Sequence, residues 1–157
     1  MMANQHDNEP RLLHERSPRI RLVLQQTRSE EAQAMRQWSQ YQQTLAQEQE
    51  QLAQLKEYAE GYRNSLAIPS QTKVSGGQIH HTLGFLQQVE QAIQTQHSKI
   101  YRLQDQLQTA RSRYLTLRGK VKGMENLIEK LEREKAQQLE KQEQKQVDEF
   151  NNRMYFR

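Results

Sequence analysis

The feature that most constrains this chain is a repeat of apolar residues at alternating steps of three and four. In the first half the repeat runs from residue 20 to residue 66, and eleven of its fourteen positions are apolar or aromatic. A spacing that averages 3.5 residues keeps one stripe on the same side of an α-helix, so it predicts a coiled-coil strand. The positions are Ile20, Leu24, Thr27, Glu31, Ala34, Trp38, Tyr41, Leu45, Glu48, Leu52, Leu55, Ala59, Tyr62 and Leu66.

A second repeat with the same spacing begins at Ile79. Every seventh residue from there to Ile128 is apolar or aromatic, and six of the eight residues three places further on are apolar. Both series turn polar after Leu131, so the apolar seam is predicted to end there. Pro69 and the glycine pair at 76–77 separate the two repeats, and residues of these types interrupt helices.

Two such strands joined by a short loop predict an all-α fold in which two long helices form an antiparallel coiled-coil hairpin. Ser17 and Pro18 suit the cap and the first position of a helix, so the first helix is predicted to start there. Helix-forming residues continue past the end of the seam, so the second helix is predicted to overhang its partner at the C-terminal end. The predicted segments are a flexible N-terminal arm at 1–16, the hairpin at 17–150 (helix 1 at about 18–66, a loop at about 67–78, helix 2 at about 79–150) and a C-terminal tail at 151–157.

One alignment of this hairpin brings core positions of the two helices opposite each other and leaves a loop of reasonable length. In that alignment, facing residues have numbers that add to 148. It sets Trp38 opposite Ala110 and Ala34 opposite Tyr114, so each large side chain meets a small one, as interdigitated packing requires. Polar residues within a seam set its register. The polar seam residues are Thr27, Glu31, Glu48, Thr82 and Gln96.

The composition excludes several classes of protein. Only 34% of the residues are hydrophobic and the mean hydropathy is -1.11, so the chain fills a narrow seam rather than a wide globular core. The absence of cysteine excludes disulfides and thiolate metal sites. The sequence has no apolar run of membrane-spanning length and no signal-peptide core, so a cytoplasmic location is expected.

No sequence pattern that carries catalysis or holds a cofactor is present. The chain lacks a glycine-rich phosphate loop, a nucleophile elbow and an HExxH motif. His80 and His81 are adjacent, so on a helix they point about 100° apart, and His97 is not at metal-site spacing from them. We therefore expect no enzyme activity, no metal, no cofactor and no small-molecule substrate.

Basic residues form two clusters, one near the start of the chain and one on the second predicted helix. Three interpretations remain open: solvated flanks of a coiled coil, attraction to an acidic protein surface or lipid headgroups, and nucleic-acid binding. No aromatic residues suited to stacking lie among them, which disfavours nucleic acid as a partner. The clusters are Arg11, Arg16, Arg19, Arg21 and Arg28, and Arg111, Arg113, Arg118, Lys120 and Lys122.

Three stretches together resemble the FliJ-type flagellar export proteins, small helical components of the bacterial flagellar type III export apparatus. The resemblance covers roughly residues 18–153. It depends on the order and spacing of the stretches around the loop more than on any one of them. The stretches are QLAQLKEYAEGYRNSL (Gln51–Leu66), GFLQQVEQAIQTQ (Gly84–Gln96) and EKQEQKQVDEFNNR (Glu140–Arg153).

The resemblance implies a non-enzymatic stalk and adaptor similar to the central stalk of rotary ATPases. The implied partners are the hexameric export ATPase, the cytoplasmic linker of the membrane export-gate protein and the export chaperones. The implied location is peripheral, at the cytoplasmic face of the inner membrane. It also implies a gate-binding patch, in which Tyr58 and Phe85 are the better candidates because they lie off the seam. The patch would comprise Gln51, Leu55, Tyr58, Tyr62, Phe85, Val89, Ala92 and Gln96.

The contact with the ATPase ring is expected near the C-terminus. Val147, Phe150 and Met154 fall on one helical face, which suits a helix that docks in a groove. The residues predicted for this contact are Val147, Asp148, Glu149, Phe150, Arg153 and Met154.

Other functions are compatible with the sequence. The closest alternative is the equivalent stalk of a virulence type III secretion system. A different class is a structural dimer in which the two heptad strands pair between chains. A third is a prefoldin-like holdase, although the strand-forming segments that such a chaperone needs between its helices are absent.

Overall fold

The computed structural model describes residues 9–67 and 76–156, and this part of the chain forms two helices. Helix α1 spans Glu9–Ala67 and helix α2 spans Gly76–Tyr155. The described residues contain no strand. The predicted all-α fold class with two long helices is confirmed, and the predicted loop lies mostly outside the described residues.

Helix α1 begins earlier than predicted. It starts at Glu9 rather than at Ser17, so residues 9–16 are helical and not part of an arm; the rest of the predicted arm lies outside the described residues. Pro10 lies in the first turn, where the missing N–H has no acceptor within the helix in any case. Pro18 lies inside α1 and removes one backbone hydrogen bond from a helix of 59 residues.

Helix α2 extends further than predicted at both ends. It includes the glycine pair at 76–77 and continues to Tyr155, into the predicted tail at 151–157. No proline or glycine follows residue 123, so the sequence between there and Tyr155 contains no helix-breaking residue that would end α2 earlier. The N–H of Phe156 donates to the carbonyl oxygen of Asn152 at 3.2 Å, which completes the last turn.

Burial follows the predicted heptad repeat closely. Every position of the first seam is buried or half-buried, and so is every position of the second seam except Ile79, which lies in the first turns of α2 and is exposed. From Leu139 to Phe156, in contrast, every residue is exposed. The stripes recognised by spacing are therefore the surfaces along which the helices pack.

The helix pair divides into two compact units, each made of one stretch of α1 and one stretch of α2. Unit 1 joins α1 up to Gln33 to α2 from Tyr114 onward. Unit 2 joins α1 from Ala34 to α2 up to Arg113.

In unit 1 the two helices run antiparallel. Arg21 pairs with Glu132, and Arg28 pairs with Glu125 at 2.9 Å, so a rise of seven residues on α1 matches a fall of seven on α2. The carboxylate of Glu31 pairs with the guanidinium of Arg118 at 3.6 Å. The buried apolar residues of this unit are Leu24, Tyr114, Leu117, Val121 and Leu131.

The helices of unit 2 are also antiparallel. Arg63 pairs with Glu90 at 2.9 Å, and Lys99 pairs with Glu48 at 2.7 Å. The buried apolar residues are Ala34, Leu52, Ala59, Leu86, Ile100, Leu103 and Ala110. Two of the predicted facing residues, Trp38 and Ala110, lie in this unit as a half-buried and a buried side chain.

Three ion pairs agree with the predicted register. The residue numbers of Arg21–Glu132, Arg28–Glu125 and Arg63–Glu90 add to 153 in each pair. Each residue of these pairs directly follows a seam residue. In the alignment that adds to 148, the two residues of a pair are therefore not directly opposite but are offset along the helices by five residues, a little more than one turn. Side chains on a helix lean toward its N-terminus, so in an antiparallel pair such residues lean toward each other.

Candidate protein-interaction surfaces

The seam of unit 2 has two flanks of different chemistry. One flank holds the Arg63–Glu90 ion pair, whose members each follow a seam residue. The other flank holds residues that directly precede a seam residue, and antiparallel pairing brings those of α1 and α2 to the same side. We call this second group, with the seam residues beside it, the aromatic flank. It comprises Gln51, Leu55, Tyr58, Tyr62, Phe85, Val89 and Ala92.

The aromatic flank contains seven of the eight residues predicted for the gate-binding patch. Tyr58 is 64% exposed and Phe85 45% exposed, whereas Leu55, Tyr62, Val89 and Ala92 are half-buried and Gln51 is exposed. The rings of Tyr62 and Phe85 lie 5.3 Å apart between centroids at an angle of 58°, a favourable tilted geometry. Phe85 thus packs partly against the seam, while Tyr58 is available to a partner.

A groove lies beside the two tyrosines. Its volume is about 610 Å³, and the described residues that line it all belong to α1. Gly61 leaves space in this groove, because a Cβ atom there would meet nothing within 4 Å. A side chain of a partner could therefore enter between the tyrosines and the helix surface. The lining residues are Gln54, Glu57, Tyr58, Gly61, Tyr62 and Ser65.

Gln96, the eighth predicted residue, lies inside the seam. It is buried, and its side-chain amide donates to the backbone oxygen of Glu48 at 2.9 Å and to the Glu48 carboxylate. Lys99 pairs with the same carboxylate. The hydrogen bond from Lys99, followed by that from Gln96, lowers the pKa of Glu48 below its ordinary value. Because its side-chain amide is hydrogen-bonded to Glu48, we leave Gln96 out of the aromatic flank. We call Glu48, Gln96 and Lys99 together the polar layer.

The residues predicted to contact the ATPase ring form an exposed surface on the last turns of α2, within unit 1. All six are exposed, and the large apolar side chain of Phe150 is 62% exposed. Asp148 accepts a hydrogen bond from the side-chain amide of Gln144 at 3.4 Å. We call this group the tail surface. It comprises Val147, Asp148, Glu149, Phe150, Arg153 and Met154.

Sequence reasoning missed two aromatic residues beside the tail surface. Tyr155 and Phe156 are each 89% exposed and directly follow Met154. Two consecutive aromatic residues after a polar helix were a visible signal, but they lay in the segment predicted to be a C-terminal tail at 151–157. Their position at the end of α2 adds apolar area next to the tail surface.

The histidines considered as metal ligands lie on the surface, outside the seam. His80, His81 and His97 are exposed, and the described residues contain no group of three or more side chains suited to a metal ion. Within the same residues, no helix is apolar enough over a sufficient length to cross a membrane.

Two antiparallel helices that pack along a narrow apolar seam define the class of all-α coiled-coil proteins. The family model for the flagellar FliJ protein matches residues 16–157, nearly the whole chain. The chain therefore belongs to the flagellar FliJ family, a non-enzymatic component of the flagellar protein export apparatus, as the three stretches of sequence indicated. No curated protein and no solved structure matches the chain.

Proposed function

We propose that this chain is a stalk and adaptor that links the hexameric export ATPase to the membrane export gate and escorts export chaperones. Membership of the flagellar FliJ family supports a role in export. Two exposed surfaces of different composition, the aromatic flank in unit 2 and the tail surface in unit 1, support contacts with two different partners. In this proposal the protein acts at the cytoplasmic face of the inner membrane and catalyses no reaction.

The observation that carries the proposal is the exposure of α2 from Leu139 to Phe156. A helix without a packed partner is marginally stable in water, and exposed apolar side chains on such a helix favour a role in binding. In the proposal this stretch overhangs α1 and docks on the ATPase ring through Val147, Phe150 and Met154. The acidic residues beside them, Asp148 and Glu149, would set the orientation of the docked helix.

The tail surface is tested by binding to the purified export ATPase hexamer. Replacement of Val147 and Phe150 by serine should weaken binding by at least tenfold, because a few large apolar anchor residues contribute most of the binding free energy of an interface. Truncation after Leu131 should abolish binding. Leu139→Ser is the matched control, since Leu139 is also exposed on α2 and lies outside the tail surface. Equal ATPase binding by the wild type and the truncated chain would refute this role.

The aromatic flank is tested by binding to the cytoplasmic linker of the gate protein. Tyr58→Ala combined with Phe85→Ala should weaken that binding by about tenfold or more and leave ATPase binding unchanged. Tyr101→Ala is the control, because Tyr101 is an exposed aromatic residue outside this flank. A large fall in the circular-dichroism signal of the double variant would mark the two residues as structural instead.

The ion pairs also bear on the alternative of a structural dimer. In the hairpin, Arg28 pairs with Glu125 and Arg63 pairs with Glu90, so the proposal expects both pairs to form within a monomer. Light scattering should therefore give the mass of one chain at micromolar concentration. A stable two-chain mass would favour the structural dimer.

A further inference from the structure

One face of α2 in unit 1 has no packing partner among the described residues. Leu115 is 50% exposed and Leu127 44% exposed, although both lie within a stretch whose seam residues are buried or half-buried. Gly119 and Gly123 lie on the same face between the two leucines, and a Cβ atom at either would meet nothing within 4 Å. We call the exposed surface from Leu115 to Leu127 the outer face.

The outer face carries an excess of positive charge. From Tyr114 to Met124 every charged residue is basic. Arg118 is engaged, since it pairs with Glu31 at 3.6 Å and donates to the Tyr114 hydroxyl at 3.3 Å. Lys120 and Lys122 are exposed, and neither forms an ion pair with a described residue. At about 100° per residue, the two lysines lie on opposite edges of the leucine face.

We infer that the outer face binds an amphipathic helix of a partner protein that carries acidic side chains on both edges of its apolar stripe. Apolar residues of that helix would lie between Leu115 and Leu127, and its carboxylates would meet Lys120 and Lys122. The two leucines are separated by about 18 Å along α2, at about 1.5 Å per residue, which matches three turns of a docked helix. This contact uses neither the aromatic flank nor the tail surface, so it goes beyond the proposed function.

The geometry of the outer face favours a partner helix over a membrane surface. Leu115, Gly119, Gly123 and Leu127 follow one another in steps of four, and a row with this spacing packs against the groove of a second helix. The two glycines leave open space in the middle of the row, which side chains of a partner helix can fill and a flat lipid surface cannot. Charge complementarity at the edges of this row also determines partner choice and the association rate.

The test uses the full chain and a fluorescein-labelled, 18-residue helical peptide with a leucine stripe and glutamates on both edges. Binding is followed by fluorescence anisotropy. Lys120→Glu combined with Lys122→Glu should weaken binding at least tenfold. Lys141→Glu combined with Lys145→Glu, the same change of charge at exposed positions further along α2, should alter it less than twofold. A peptide with lysines on both edges should bind the Lys120→Glu/Lys122→Glu variant better than the wild type.

A second pair of variants separates apolar docking from general charge attraction. Leu115→Gln combined with Leu127→Gln should weaken peptide binding by about fivefold or more, whereas Leu22→Gln on exposed α1 surface should not. Truncation after Leu131 should leave peptide binding intact, so failure of the tail surface and failure of the outer face remain distinguishable. The inference is overturned if the Lys120→Glu/Lys122→Glu variant or the Leu115→Gln/Leu127→Gln variant binds the peptide as tightly as the wild type does. It is also overturned if phosphatidylglycerol vesicles displace the peptide from the wild type.

Discussion

Units 1 and 2 use the same two helices and the same pairing direction, yet they place their polar residues differently. Unit 1 has ion pairs on the flank of its seam in two successive heptads, Arg21–Glu132 and Arg28–Glu125. Unit 2 has one such flanking pair. The seam carboxylate of unit 1, Glu31, pairs with the exposed Arg118, whereas the seam carboxylate of unit 2, Glu48, accepts a hydrogen bond from the buried amide of Gln96. Surface pairs contribute little free energy, while a buried polar group restricts which alignments are possible.

The difference shows how a narrow coiled coil can specify its register and still present binding surfaces. In unit 2 the polar layer restricts the register from within the seam. The aromatic flank can therefore consist mainly of apolar and aromatic residues. In unit 1 two ion pairs lie on one flank and the half-buried seam residue Glu31 pairs with Arg118, while the outer face and the tail surface each present exposed apolar residues. Each unit therefore combines one register-specifying feature with a different exposed surface.

The largest expected effect is on the seam itself. Leu52→Ala in unit 2 and Leu117→Ala in unit 1 should each reduce the free energy of unfolding by about 2–5 kcal/mol, because each removes a buried leucine. Urea unfolding followed by circular dichroism measures both. The single tryptophan, Trp38, lies in unit 2, so its fluorescence reports that unit separately.

Leu22→Ala is the control for this comparison. Leu22 is 71% exposed, so its replacement should change the free energy of unfolding by less than about 0.5 kcal/mol. If Leu22→Ala and Leu52→Ala had equal effects, the assignment of the seam would be contradicted.

A smaller effect is expected from the polar layer. Gln96→Leu should lower the urea midpoint, because Glu48 loses an amide donor within the seam. Replacement of both Glu48 and Gln96 by leucine should restore the midpoint or raise it, since packed apolar residues often stabilise more than buried polar groups. The double variant should also form dimers, detected by light scattering, because it loses the polar contact that restricts register. A double variant that stays monomeric would argue against a register-specifying role.

The polar layer also predicts a dependence of stability on pH. The pKa of Glu48 in the folded chain lies below its ordinary value of 4.5, so ionised Glu48 stabilises the fold above that value. This stabilisation is lost as the pH falls below 4.5 through the folded pKa. Wild type should thus exceed Glu48→Gln in urea midpoint at pH 7, and the gap should narrow as the pH falls below 4.5. Glu50→Gln, at an exposed position, should not alter the pH profile; a constant gap for Glu48→Gln would contradict the argument.

The smallest effect should come from the flanking ion pairs. Arg28→Ala in unit 1 and Arg63→Ala in unit 2 should each reduce the free energy of unfolding by about 0–1 kcal/mol, because both arginines are largely exposed. Addition of about 1 M NaCl should remove most of this difference, since the screening length then falls to about 3 Å. A double-mutant cycle for Arg28 and Glu125 measures the pair directly. A coupling much above 1 kcal/mol would mean that the flank contributes more to stability than the comparison implies.

Much of the fold could be predicted because the relevant signal is local. The spacing of apolar residues from Ile20 to Leu66 is visible without any knowledge of contacts, and the alignment that pairs large with small residues follows from the two repeats. The helix ends were less predictable. Pro10 and Pro18 are both acceptable near a helix start, so residue type did not determine at which of them α1 begins. Glycines at 76–77 can end a loop or open a helix, so residue type did not determine where α2 begins either.

The surfaces were predictable only in part. Tyr58, Phe85 and Phe150 stood out because they are aromatic or apolar at positions off the seam. Gln96 was predicted both as a polar seam residue and as a member of the gate-binding patch. The pattern of residue types did not reveal that its side-chain amide donates to Glu48. The exposed leucines of the outer face were also missed, since a single leucine off the seam is common on protein surfaces.

The heptad spacing was sufficient to establish two helices with complementary apolar stripes, because helical periodicity is a property of neighbouring residues in one chain. The packing of α1 against α2 was needed to establish which polar side chains meet across the seam and which faces have no packing partner. Those features depend on residues such as Glu48 and Gln96, which are 48 positions apart in the chain. Long-range pairing of this kind appears only when the register of the two helices is known.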